Sequence, residues 1–188
     1  MNKELSEMTL EELWELFPIF LVEHDDGWSR DFKEMETFLK SVLNDFKVDR
    51  ISHIGSTAVN KIWAKNIVDI LLEIPSGTPM IELSKALESQ GFIVMSKDND
   101  RISLNKGYTK DGFAQKVYHI HLRYTGDNDE LYFRDYLREH PDIASAYEDL
   151  KLSLWKKFEH DRDGYTEAKT RFIRKYTELA KEEYKGRY

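Results

Sequence analysis

From Asn66 to Ile74 the chain reads as a run of branched apolar residues broken by two acids, Asp69 and Glu73. Such a run predicts a central β-strand. A carboxylate between Val68 and Ile70 costs folding energy unless a metal ion, a hydrogen bond or solvent at the strand end receives it. Asp69 is therefore the leading candidate for chemistry. Strand alternation sends Asp69, Leu71 and Glu73 to one face and Val68, Ile70 and Leu72 to the other. Asp69 and Glu73 then stand roughly 13 Å apart along an extended strand. That is too far for one metal ion to be held directly by both, and Glu73 is expected to be the solvated strand end.

Just upstream, Arg50 to Ile54 predicts a shorter strand that runs through His53 into Gly55-Ser56-Thr57. A strand entering a Gly-Ser turn and a helix start leaves backbone N–H groups and a hydroxyl free to hold phosphate. Gly55, Ser56 and Thr57 are accordingly candidate nucleotide-binding residues. The run Ser56 to Lys65 reads as a short helix or turn. Gly-Ser turns are common, so the weight lies in the order of parts: strand, turn, short helix, strand with an acid.

The rest of the chain arranges itself around these strands. Thr9-Leu10-Glu11-Glu12 reads as a capping box opening a short amphipathic helix that Pro18 helps to end. Ile19 to Val22 predicts a short strand or extended arm. Ser29 can cap a helix with Phe32, Met35, Leu39, Val42, Leu43 and Phe46 at helical spacing. Thr78 before Pro79 predicts a helix start, and Gly91 its end. Three β-like stretches follow, Phe92 to Met95, Ile102 to Tyr108 and Gln115 to Tyr124, separated by polar turns. Beyond Asp129 the periodicity is helical: Leu131 to His140, a helix from Pro141 with Ile143, Tyr147, Leu150, Leu154 and Phe158 on one stripe, and a last one marked by Tyr165, Ala168, Phe172, Tyr176 and Leu179.

Composition sets outer bounds. A length of 188 residues with 40% hydrophobic content suits one packed domain. The mean hydropathy of −0.63 and the lack of any apolar run near the roughly 20 residues a spanning helix needs argue against a membrane partner. The net charge of −7 argues against broad nucleic-acid binding, which requires a concentrated basic surface, though a small nucleotide needs only a few local cations. The absence of cysteine removes disulfides, thiolate nucleophiles and Cys-ligated zinc. With no basic and apolar leader in Met1-Asn2-Lys3-Glu4-Leu5, a cytoplasmic location is expected.

Tyr118-His119-Ile120-His121-Leu122 places both imidazoles on one side of a strand. By itself the pair reads as a hydrogen-bonded structural feature at a sheet surface. With Asp69 on a neighbouring strand, it reads equally as part of a divalent-metal site. Arg134, Arg138 and Lys169 are candidate phosphate clamps, the two arginines projecting together at i,i+4, although a basic residue on a helix usually solvates a face. No G-x-S-x-G, P-loop or H-E-x-x-H spacing is present.

Taken in order, His53-Ile54-Gly55-Ser56-Thr57-Ala58-Val59, Ala64-Lys65, Val68-Asp69-Ile70-Leu71, Tyr118-His119-Ile120-His121-Leu122, Phe133 to Arg138 with His140-Pro141, and Tyr165-Thr166-Glu167-Ala168-Lys169 with Phe172-Ile173 resemble the GrpB family, also described as UPF0157. That family resembles the nucleotidyltransferase fold of polymerase β-like enzymes. The resemblance implies an α+β fold with a mixed sheet flanked by helices and a helical C-terminal third. It also implies one domain over 1–188, with an N-terminal extension at 1–27, an α/β core at 28–124 and C-terminal helices at 125–188. By the same resemblance, Gly55 and Ser56 match the turn that holds a nucleoside triphosphate, and Asp69 the first acid of an acid-x-acid pattern. His119 and His121 stand where a later strand supplies a further ligand, so that Asp69, His119 and His121 would hold Mg²⁺ or Mn²⁺. Leu71 occupies the second acid's place, which weakens two-metal chemistry. The implied activity is metal-dependent transfer of a nucleotidyl group from a triphosphate to an unidentified acceptor. The alternative is nucleotide or metabolite binding without catalysis.

Overall fold

Residues 3–188 are described by a computed structural model; Met1 and Asn2, the start of the predicted N-terminal extension, lie outside the described residues. Five strands form one mixed sheet: β1 (Arg50–Ile54), β2 (Val68–Ile74), β3 (Ile93–Lys97), β4 (Arg101–Thr109) and β5 (Gly112–Tyr124), in spatial order β1-β2-β5-β4-β3. Only β2 and β5 run parallel. The helices are α1 (Leu10–Leu16), α2 (Gly27–Val42), α3 (Met80–Glu88), α4 (Asp129–Glu139), α5 (Pro141–Trp155) and α6 (Arg162–Glu183). The architecture is α+β, with a helical C-terminal third.

The alternation read from β2 decides what covers each face. Val68, Ile70, Leu72 and Ile74 join Ile102, Leu104, Ile120 and Leu122 in a core under Trp28, Met35 and Leu39 of α2 and Met80, Leu83 and Leu87 of α3. The opposite face carries Asp69, Leu71 and Glu73 toward the C-terminal helices, where Leu71 is fully buried with Ile54 and Leu131. The α2–α3 side carries the larger apolar cluster, and burial of such surface stabilises at roughly 25 cal/mol per Å².

Glu73 corrects the expectation of a solvated strand end. It is fully buried, with Arg50 Nε 2.9 Å from its Oε2 and Asn128 Nδ2 donating to Oε1 at 3.0 Å. The polar turn after β5 folds back over it, and the paired charge offsets its desolvation.

Several element ends also differ from expectation. The Thr9 capping box is present, but α2 begins two residues before Ser29, with the Gly27 N–H donating to Asp25 Oδ1 at 2.7 Å. Pro79 stands at the N-cap of α3 rather than inside it, while the Thr78 hydroxyl donates to the Lys47 carbonyl. The Ile19–Val22 arm is reduced to a single bridge between Val22 and Ala64. β5 begins at Gly112, earlier than Gln115, because the hairpin from β4 closes tightly through Thr109 and Gly112. Among the described residues, no helix is long and apolar enough to cross a membrane.

Candidate functional site

The site begins where β1 ends. Gly55 adopts φ 71°, a backbone region that glycine enters without steric cost. It has a second reason to lack a side chain, since a Cβ there would collide with the Asp69 carboxylate. The ladder pairs Ile54 with Asp69 and Asp69 with His119. Turn, acid and imidazole are thereby lined up across three strands.

Asp69 Oδ1 lies 3.2 Å from His119 Nδ1 and 3.7 Å from His121 Nε2. On its other side, His119 Nε2 is 2.9 Å from the Tyr108 hydroxyl. The network assigns one consistent tautomer: Tyr108 donates to Nε2, and the Nδ1–H donates to Asp69. Burial works to raise the Asp69 carboxyl, but the hydrogen bond from His119 and the close approach of His121 outweigh it and hold the group well below the usual carboxylate range. Burial lowers His119, against the pull of Asp69, so the imidazole is held in its neutral form.

Beside Asp69, Gly55 and Ser56 open onto a pocket of about 140 Å³ that is ringed by Lys65, Lys151 and Lys169. Each lysine comes from a different element. Lys65 follows the Val22–Ala64 bridge, whose paired backbone bonds fix the preceding loop. Lys151 comes from α5 and donates to the Trp63 carbonyl, while the Trp63 N–H donates to Glu148 Oε1 at 2.9 Å. Lys169 comes from α6 and lies 4.2 Å from the centre of the Tyr165 ring, one turn away. Lys151 sits similarly over Tyr147 at 5.0 Å, within the range where a ring face attracts an ammonium group.

These ammonium groups are crowded and poorly solvated. Burial lowers Lys65 to about 8, helped by the Arg162 guanidinium. It lowers Lys151 to about 7, and Lys169 also to about 7, with the charges of Lys65 and Lys151 adding to the effect. Asp69 alone among the lining residues opposes them. A multiply charged anion relieves this repulsion, and lysine is well suited to phosphate as a compact point charge.

The other predicted residues divide. Thr57 lines the pocket, but its hydroxyl is occupied: it lies 3.0 Å from His53 Nε2 and donates to the Ile67 carbonyl at 3.1 Å. Burial and the Arg138 guanidinium lower His53 to about 4, so that it braces the turn as a neutral ring. Arg134 and Arg138 do not line the pocket. Arg134 donates to the His53 carbonyl at 3.0 Å and pairs with Asp135, and Arg138 donates to the Ala58 carbonyl at 2.8 Å. They grip the turn from behind.

Lys151, Tyr147 and Tyr165 were not singled out as ligands from sequence, although a signal existed. Lys151 stands four residues after Tyr147 on the otherwise apolar stripe of α5, and Tyr165 precedes Lys169 by the same spacing. Lys65, in a loop, carries no periodic signal and stands out only within the Ala64-Lys65 match to the family pattern.

The predicted metal ligands Asp69, His119 and His121 are brought together. Among the described residues, however, no group of three His, Cys, Asp or Glu side chains converges as a metal-holding set. The imidazole nitrogens nearest Asp69 point at its carboxylate, and Tyr108 takes the second nitrogen of His119. The residues as arranged do not fit the expected Mg²⁺ or Mn²⁺ ion.

The family model described as GrpB protein matches residues 18–179. The glutamate-rich protein GrpB of Alkalihalophilus pseudofirmus is 31% identical over 160 residues, covering 82% of this chain and 91% of that protein. The UPF0157 protein YqkA of Bacillus subtilis is 29% identical over 181 residues, covering 93% of this chain; the match spans 52% of YqkA, about half its length. The crystal structure of the conserved protein GrpB from Enterococcus faecalis superposes with a TM-score of 0.74 at 28% identity, covering 88% of this chain and 99% of that one. The Cid1 poly(U) polymerase with MgGTP bound gives a TM-score of 0.48 at 11% identity, over 76% of this chain and 44% of Cid1.

Proposed function

The chain belongs to the GrpB family, and from that premise we propose that its Gly55–Ser56 turn and three lysines hold the phosphate chain of a nucleoside triphosphate for transfer of a nucleotidyl group to an acceptor. The observation that carries this reading is the ring of Lys65, Lys151 and Lys169 around a pocket containing one carboxylate. Such a concentration of desolvated positive charge is costly in an empty site and favourable around phosphate oxygens. The turn supports the same reading: its glycine admits the acid of the next strand, and its serine lies beside the Tyr147 hydroxyl at the pocket wall.

In this reading the lysines neutralise charge that develops on departing pyrophosphate, which is positioning and electrostatic work. Asp69, fixed by His119 and His121, is the carboxylate at the pocket wall that can accept a proton from an attacking hydroxyl. A second reading is nucleotide or metabolite binding without transfer. It is favoured by Leu71, which is fully buried against Ile54 and Leu131 where the second acid would stand.

Calorimetric titration with ATP and with pyrophosphate tests the binding site. Saturable binding is expected in the full chain, weakened at least ten-fold in Lys65→Met/Lys169→Met. A wild-type protein that binds neither ligand, or a double variant that binds as wild type, overturns the assignment. A pyrophosphate-release assay then separates transfer from binding alone.

A further inference from the structure

A second and much larger cleft, about 970 Å³, lies between the N-terminal segment with α1, the β3–β4–β5 side of the sheet, and the start of α6. Leu13, Trp14, Phe17, Ile93 and Met95 supply apolar and aromatic walls. Its polar residues include Asn105, His119, His121 and Arg162. A roomy, mostly apolar cavity with a few convergent polar groups is the usual form of a small-molecule site.

Three observations say what it holds. His119 and His121 line this cleft, while the Asp69 they contact lines the lysine pocket, so the two cavities meet at one cluster. Asn105, 3% exposed and paired across the ladder with His119, has an amide nitrogen without a hydrogen-bond partner in the protein. A buried polar group of this kind calls for a partner. Asp69 and Arg162 both bear on Tyr108 and His119, but Asp69 lines the lysine pocket and is engaged by the two imidazoles. Arg162 is therefore the charge the cleft itself presents beside them, next to the unpartnered Asn105 amide donor.

We infer that this cleft binds a second small molecule, an amphipathic anion whose aromatic or apolar body lies against Trp14, Phe17 and Met95 and whose anionic end lies beside Arg162. Its role as the acceptor rests on the nucleotidyl-transfer reading above; its existence as a site does not.

The probe is 8-anilinonaphthalene-1-sulfonate, an aryl body bearing one anionic group, titrated into the full chain under native conditions and followed by fluorescence. Saturable binding of one probe per chain is expected. Met95→Glu, at a position 49% exposed and so compatible with folding, is expected to weaken it at least ten-fold, and Arg162→Gln several-fold. Near-UV circular dichroism verifies that both variants keep native packing. Absence of saturation, or unchanged affinity in either variant, overturns the inference. Pyrophosphate titrated in parallel reports the lysine pocket alone: its failure with the probe still bound overturns the phosphate assignment and leaves this one standing, and the reverse pattern does the opposite.

Discussion

At the scale of single residues, the site depends on a glycine that two constraints fix at once. Gly55 combines a positive φ with the close approach of the Asp69 carboxylate. Gly55→Ala must accept the strained backbone and displace the acid from its imidazoles. A loss of about 1–3 kcal/mol in urea unfolding is expected, together with loss of pyrophosphate binding; a variant with wild-type stability and affinity would show that the turn tolerates a Cβ. Gly55 was legible from its place in the order strand, turn, short helix, strand with an acid, and Asp69 because an acid inside an apolar run breaks a local rule. Glu73 breaks the same rule, yet it is buried and paired where a solvated strand end is expected. Its partners Arg50 and Asn128 are distant in sequence, so nothing local distinguishes a paired buried acid from a solvated strand end.

At the scale of elements, the positive pocket is assembled by a loop and two helices, none of which carries more than one of the three lysines. Helical periodicity located α5 and α6, but not the direction in which Lys151 and Lys169 meet. Helix ends were legible only within a residue or two, since the Gly27 N–H finds Asp25 rather than the expected Ser29 cap. The crowding has a pH signature. In the free protein Lys151 and Lys169 titrate at about 7, against an ordinary value near 10.4. Bound phosphate raises them, so binding takes up protons above neutrality. Pyrophosphate affinity is therefore expected to be greatest below pH 7 and to fall as pH rises from 7 toward 9. Calorimetry at pH 8 in buffers of different ionisation enthalpy measures the uptake directly; no uptake would mean that the lysines are already charged. The linkage to stability has the opposite sign. Between pH 7 and about 10 the unfolded chain holds protons that these folded lysines have lost, so their contribution to stability improves as pH rises.

For the whole molecule, the C-terminal helices are built into the sheet. Leu131 of α4 packs with Ile54 and Leu71, and Val59 and Ile62 pack with Leu137, Ala144 and Tyr147. Unfolding in urea is thus expected to be one transition, with tryptophan fluorescence and far-UV circular dichroism coincident. Trp28 lies in the core under the sheet and Trp155 ends α5, so fluorescence follows both parts, and separated midpoints would show that the helical third melts independently. The order of strands and helices was legible in periodicity. Their cross-sheet meeting at Asp69 was not, because strand order depends on long-range pairing; the family resemblance, not periodicity, placed His119 and His121 beside that acid. Arg134 and Arg138 of α4 grip the His53 and Ala58 carbonyls. The shape of the binding turn is inherited from α4, whereas its electrical character is inherited from the loop, α5 and α6. Under the phosphate-binding proposal, shape and preference can therefore drift independently, so relatives sharing the bend are expected to differ in the anion they take.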